Sequence, residues 1–255
     1  MKISAVIIAC NEEKKIGDAI RSVAWADEVL VIDSESTDRT KEIAENLGAM
    51  VVIRPWPGFA KQKQFGVDTA KYDWIFSLDA DEQVSPELEK EIVAIRDTPT
   101  HADGYRISRL SYYMGRAIRH SGWYPDRQLR LFDRRRGSWS KVLIHESVKL
   151  AEGAVSKELK GEIIHFSMDS AAHHNAMISE RYAPLAAQQM LLNGRRTSWL
   201  RIAVAGPIAF MSAFVLKAGF LDGLPGFCIA RFAAHNAFMK HLCLWELQNK
   251  KPDPL

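Results

Sequence analysis

Trp74-Ile75-Phe76-Ser77-Leu78-Asp79-Ala80-Asp81-Glu82 is an apolar run that ends in three carboxylates. The run reads as a buried strand, and in an α/β protein the residues at the end of such a strand are delivered to a pocket. Asp79 and Asp81 are two apart, so a strand-like backbone sends both side chains to one face. Two carboxylates facing one point repel each other unless a cation lies between them. A hard divalent ion such as Mg²⁺ or Mn²⁺ meets that need, because it takes one or two carboxylates and completes its shell with water and substrate phosphate. The same spacing also suits acids that simply open a surface loop, so the surrounding chain has to decide.

Upstream, Ile3 to Cys10 is continuous and rich in β-branched residues, as in a strand buried on both faces. Asn11 is placed to cap a following helix, with Glu12 and Glu13 in its first turn and Ile16, Ala19, Ile20 and Val23 on one face. Val29 to Asp33 is a second strand, and Ser34 to Asp38 turns into a helix closed by Gly48. Met50 to Ile53 is a third strand, followed by the break Pro55-Trp56-Pro57-Gly58 and a helix over Ala60 to Ala70. Strand and helix alternate with short turns, which predicts an α/β domain with a mostly parallel, helix-covered sheet. Ligands of such sheets bind beyond the carboxyl ends of the strands, where Asn11, Asp33 and Asp79 all fall.

Three segments in this order, Ala5 to Glu12, Val31 to Asp38 and Asp79 to Glu82, resemble family 2 glycosyltransferases with the GT-A fold, a Rossmann-like nucleotide-diphospho-sugar transferase fold. Trp123 to Phe132 together with His145-Glu146 resembles the WaaE branch of that family, the branch of lipopolysaccharide core β-glucosyltransferases. The resemblance implies that Ala9, Asn11 and Glu12 line the nucleotide pocket, that Asp33 binds the base with Asp38 nearby, and that Asp79 and Asp81 hold donor ribose and metal. Many relatives carry Ala-Arg-Asn-x-Gly where this chain has Gln62-Lys63-Gln64-Phe65-Gly66; Gln64 departs from that pattern, while Lys63 still offers a cation toward the diphosphate.

Transferring a sugar from a nucleotide diphosphate builds negative charge on the leaving phosphates, and a metal with Lys or Arg stabilises it. The acceptor hydroxyl on the opposite face needs a carboxylate to take its proton. Relatives carry the base in the pair matching His145-Glu146, which favours Glu146; Asp126, in the turn Pro125-Asp126-Arg127, competes with it. His165 ends the apolar pair Ile163-Ile164 and is a candidate for the metal or diphosphate as well as an ordinary core histidine. Arg127 and Arg130 are expected to project from one face of a strand, toward phosphate or solvent.

The 255 residues, 47% hydrophobic and 25% charged, have the composition of a globular protein. A net charge of +3 gives no reason to expect a nucleic-acid partner, although arginines crowd Arg106 to Arg136 and suggest an anionic ligand there. Cys10, Cys228 and Cys243 have no paired spacing, which predicts reduced thiols and neither disulfides nor a zinc site. The apolar start is followed at once by Glu12 and Glu13, so it reads as a first strand rather than a signal peptide.

From His173 the spacing is helical, which divides the chain into a catalytic domain over 1–168 and a helical extension over 169–255. Ile202 to Leu216 is uncharged, shorter than the roughly 20 residues of a membrane span, and flanked by Arg195, Arg196, Arg201 and Lys217. It predicts an interfacial helix at an anionic membrane, or else a helix packed on its own domain or on a second subunit. The expected activity is an inverting, metal-dependent transfer of a hexose, glucose from UDP-glucose, to a lipopolysaccharide-core or other lipid-linked acceptor at the cytoplasmic membrane face. Alternatives are a polyprenyl-phosphate, capsule or O-antigen transferase and a sugar nucleotidyltransferase.

Overall fold

The computed structural model describes residues 1–98, 102–140, 146–166, 168 and 170–250. Two compact units emerge, one of Met1–Leu110 with Pro125–Ser167, the other of Ser111–Tyr124 with Met168–Leu255.

The first unit opens with β1 (Ile3–Ala9), α1 (Ile16–Ser22), β2 (Glu28–Asp33), α2 (Thr40–Asn46), β3 (Met50–Ile53), α3 (Phe59–Thr69) and β4 (Trp74–Asp79). It continues with β5 (Glu82–Val84), α4 (Pro86–Asp97), β6 (Gly104–Tyr113), β7 (Arg116–Ala117), β8 (Asp126–Asp133), β9 (Gly137–Trp139), β10 (Val148–Leu150) and β11 (Ser156–His165), although β7 and the end of β6 belong to the second unit. The sheet order is β3-β2-β1-β4-β8-β6-β11-β5. The predicted parallel strands are the β3-β2-β1-β4 half, and β8 then pairs antiparallel with both β4 and β6.

β1 decides where the site lies. Its residues are all buried, with Ile3, Ala5, Ile7 and Ala9 in the core cluster that contains Ile16, Ile20, Leu88 and Ile92. Val6 and Ile8 point the other way, into a cluster with Val67, Phe132 and Trp139. This is the two-residue alternation of a strand covered on both faces. Its register sets Ile8 opposite Asp79 and Ala9 opposite Asp33, so both acids end their strands at the same rim. Gly66 lets α3 approach closely, since a Cβ there would lie 2.4 Å from Cγ1 of Val6.

Asn11 does not cap α1. Its backbone takes φ +55°, the left-handed region that Asn tolerates, and the helix begins only at Ile16.

The second unit contains α5 (Ala171–Ala176), a π-helical turn over Met177–Tyr182, α6 (Ala183–Leu192) and α7 (Trp199–Met211), which runs on through a π turn at Ser212–Leu216. A 3₁₀ turn at Gly219–Asp222 leads into α8 (Gly223–Asn249). α7 packs on α8 where Gly206 meets Ala234, and a Cβ on Gly206 would lie 3.3 Å from the Ala234 carbonyl. Asp222 is buried and accepts the backbone N–H of His120 at 2.9 Å, with the His120 ring Nδ1 at 2.9 Å. His174 is enclosed by Tyr113, Trp123 and Phe232, and burial pushes its imidazole down to about 4.

The apolar segment expected at Ile202 to Leu216 is longer in the structure. Trp199–Leu216 forms 18 residues of continuous helix, and among the described residues it is the one helix long and apolar enough to cross a membrane. Its outer face leaves Trp199, Leu200, Ile208, Met211 and Leu216 exposed, so packing within the unit accounts for one side of it.

Candidate active site

The rim is organised by an ion network. Lys63 of α3, almost fully buried, places Nζ 2.9 Å from Oδ1 of Asp79 and 3.8 Å from Oε1 of Glu146, over the Trp139 ring at 4.8 Å. On the other side of Asp79, Arg130 Nη2 lies 3.4 Å from Oδ2 and 2.7 Å from Oε1 of Glu82. Glu82 also accepts the Asp79 backbone N–H at 2.9 Å and faces Arg109 at 3.4 Å. Arg109 grips Oδ2 of Asp126 through Nε at 2.8 Å and Nη2 at 2.6 Å, and Gln128 holds the other oxygen at 2.6 Å.

These contacts set the acids' charge states. Burial by itself raises the Asp79 carboxyl, but Lys63, Arg130 and Arg109 outweigh it and hold the group below the ordinary range. Burial likewise raises Asp81, and the hydrogen bond and charge of His165 bring it down. Asp126 is lowered in spite of burial by Arg109 and Gln128. All three are carboxylates at neutral pH.

Local structure explains each placement. Asp79 ends β4, and the tight turn to β5 presents Asp81. The β11–β5 ladder pairs His165 with Glu82, which brings His165 Nε2 to 3.3 Å from Oδ2 of Asp81. Arg130 sits in a β-bulge, because Tyr105 pairs with Leu131 while Arg106 pairs with Leu129. The extra residue aims its side chain inward. Gln64 accepts the Trp139 N–H at 2.9 Å, and Ser140 and Ser147 close the ladder of β9 and β10 beside Glu146. The residue that departs from the expected pattern thus ties β9 to α3.

Among the described residues no group of three or more His, Cys, Asp and Glu is arranged around a metal position. Asp81 and His165 supply two donors, while Asp79 is already engaged by Lys63 and Arg130. Two protein donors fit an ion that draws its remaining ligands from water and diphosphate.

The second part of the rim is a pair of pinned loops. Asn11 Oδ1 accepts the Thr37 N–H at 2.8 Å, Glu12 donates its N–H to Thr40 Oγ1 at 2.8 Å, and Asp38 accepts the N–H groups of Glu13 and Thr40. Asp33 is buried and accepts both the N–H and the hydroxyl of Ser36. These residues shape the β1–α1 and β2–α2 loops at the end of Ala9.

The model of glycosyl transferase family 2 matches residues 4–147, a span that contains the rim from β1 to Glu146 and ends before His165. The chain belongs to that family. As a family 2 glycosyltransferase it carries the GT-A fold. An uncharacterized glycosyltransferase of Rickettsia bellii (strain RML369-C) is 34% identical over 96% of this chain and 87% of its own length. The lipopolysaccharide core biosynthesis glycosyltransferase LpsC of Rhizobium meliloti (strain 1021) is 28% identical over 100% of this chain and 96% of LpsC. Among solved structures, S. aureus TarS 1-349 in complex with UDP-GlcNAc covers 100% of this chain and 93% of its own, at 15% identity and a TM-score of 0.49.

Of the residues singled out in this transferase's sequence, Lys63, Asp79, Glu146 and Arg130 meet in one network, with Asp126 at its far end and Asp81 beside His165. Arg127 does not join them. It is exposed and pairs with Glu158 at 3.2 Å. The expectation that Arg127 and Arg130 share a face fails because residues three apart in a strand do not, and the bulge turns Arg130 into the interior. His145 lies outside the described residues. Sequence reasoning missed Glu82 and Arg109 as parts of the site. Glu82 had a signal in its place directly after the two aspartates, whereas Arg109 depends on the β6–β8 register, which pairs it with Asp126.

Proposed function

We propose that this family 2 enzyme is an inverting hexosyltransferase that moves glucose from UDP-glucose to a lipopolysaccharide-core or other lipid-linked saccharide. The observation that carries the reading is the placement of Glu146, partly exposed and joined to Asp79 through Lys63. Glu146 takes the proton of the acceptor hydroxyl as that oxygen bonds the anomeric carbon and the bond to the diphosphate breaks. Asp126 is the poorer base, since both of its oxygens are held by Arg109 and Gln128. The uridine lies against the loops pinned by Asn11, Asp33 and Asp38, near Ala9 and Glu12, and Asp79 faces the ribose. Asp81 and His165 would hold Mg²⁺ or Mn²⁺, which when bound supplies positive charge to the leaving diphosphate. Lys63 keeps a further cation at the same rim.

The relative named for lipopolysaccharide core biosynthesis aligns with the whole chain, which supports an acceptor of that class. Attachment to the inner face of the cytoplasmic membrane is part of the proposal. It rests on the exposed apolar face of α7 in a unit whose described acids, Glu180, Asp222 and Glu246, are outnumbered several-fold by Arg and Lys.

The direct test incubates the enzyme with UDP-glucose and other UDP-sugars, Mn²⁺ and extracted lipid acceptor, then measures UDP and reads the product linkage by NMR. Acceptor-dependent UDP release with UDP-glucose preferred is expected. Pyrophosphate release from UTP and a sugar phosphate, without UDP release, would overturn the reading.

A further inference from the structure

Glu82, the third carboxylate after β4, neither takes the acceptor proton nor holds the donor in the proposed reading, yet it is the most buried acid of the rim. Its exposure is 0%. Its Oε1 meets Arg130 at 2.7 Å and Arg109 at 3.4 Å, while its Oε2 accepts the N–H of Asp79. Arg130, 3% exposed, is aimed at this point by the bulge in β8 and also donates to the Ser77 carbonyl at 3.4 Å. The nearer acid to Arg130 is thus Glu82, and Asp79 is its weaker partner at 3.4 Å. Without Glu82 the buried Arg130 guanidinium would lose its nearest acid while Arg109 kept Asp126, and Asp79 is the carboxylate within reach of Arg130.

We infer that Glu82 is a positioning residue. It holds Arg130 at 2.7 Å and Arg109 at 3.4 Å, keeps Arg130 from closing further on Asp79, and fixes the Asp79 backbone, so that it positions the acid that faces the donor. The inference rests on the proposed reading of that rim as the donor site. In Glu82→Gln, Arg130 closes on Asp79 and competes with the nucleotide, as an unpaired buried charge seeks the nearest opposite one. In Glu82→Gln/Arg130→Gln the competing cation is gone and the unpaired charge with it.

The test is calorimetric titration of the full chain with UDP, in Mn²⁺ and in chelator, with thermal melting of each variant. Glu82→Gln is expected to bind UDP roughly tenfold to a hundredfold more weakly in both conditions. The double variant should recover most of that loss. If the single variant does not fold, the double variant carries the test, because it should fold and bind UDP within a few-fold of the wild type. A folded single variant with unchanged UDP affinity would overturn the proposal, as would a folded double variant that binds no better than the single or fails to bind. Asp79→Asn tests the underlying reading separately: unchanged UDP affinity there would show that the rim is not the donor site, whatever Glu82 does.

Discussion

The Lys63 ammonium stands 2.9 Å from Asp79 and is almost fully buried, with Glu146 at 3.8 Å on its other side. One cation thereby joins the acid at the end of β4 to the acid beyond the β9 region, residues far apart in the chain. Lys63→Met keeps the length of the side chain and removes the charge. It should lower kcat/KM by about 10²-fold or more, with UDP affinity reduced as well, because it leaves Asp79 less compensated. Initial rates across UDP-sugar concentrations, with UDP titrations, check this. Retention of near-normal kcat/KM would show that the link is structural only.

Glu146→Gln should slow the chemical step by about 10²- to 10⁴-fold while donor affinity stays near its original value, since the amide keeps the shape but cannot take a proton. Asp126→Asn should act mainly on stability by weakening the grip on Arg109. Single-turnover rates for the two variants distinguish the assignments, and the reverse pattern would move the base to Asp126.

Asp81→Asn and His165→Ala should each raise the Mn²⁺ concentration needed for half-maximal stimulation of UDP binding, with little change in the binding seen in chelator. Calorimetry in both conditions measures this. Equal metal dependence in wild type and both variants would remove these residues from the metal's shell.

His174 gives a stability dependence with a defined sign. Its folded-state value of about 4 lies below the ordinary 6.5, so between these pH values the unfolded chain binds the additional proton. The contribution is present above pH 6.5 and is lost as pH falls toward 4, up to about 3 kcal/mol in all. Melting temperatures of wild type and His174→Phe over this range provide the check, and the variant should show a shallower fall. Parallel curves would assign the acid lability elsewhere.

Leu200→Glu/Ile208→Glu changes two exposed positions on the outer face of α7 and should leave melting unaffected. Co-sedimentation with anionic liposomes should drop sharply, and high salt should release part of the wild-type protein. Wild-type protein that ignores anionic liposomes would refute membrane attachment. Protein that stays bound through salt and carbonate washes and yields only to detergent would instead identify Trp199–Leu216 as a span.

The sequence by itself determined the alternation of strands and helices, the rim where Asn11, Asp33 and Asp79 gather, and the pair of aspartates after β4. These arise from short-range periodicity and from the rule that parallel strands present their carboxyl ends together. Tertiary structure decided which charges meet. Two-residue alternation already sends Arg127 and Arg130 to different faces, but which acids they meet, Glu158 and Glu82, depends on contacts between distant strands that no local pattern encodes. Asn11 reads as a cap, yet its side chain bonds Thr37 across two loops, a partner it meets only once β1 and β2 lie side by side. Gln64 reads as a departure from a motif until the fold sets its amide oxygen against the Trp139 N–H, bringing Glu146 to Lys63. Periodicity fixes the face a side chain leaves from; register between distant strands fixes the charge that waits for it.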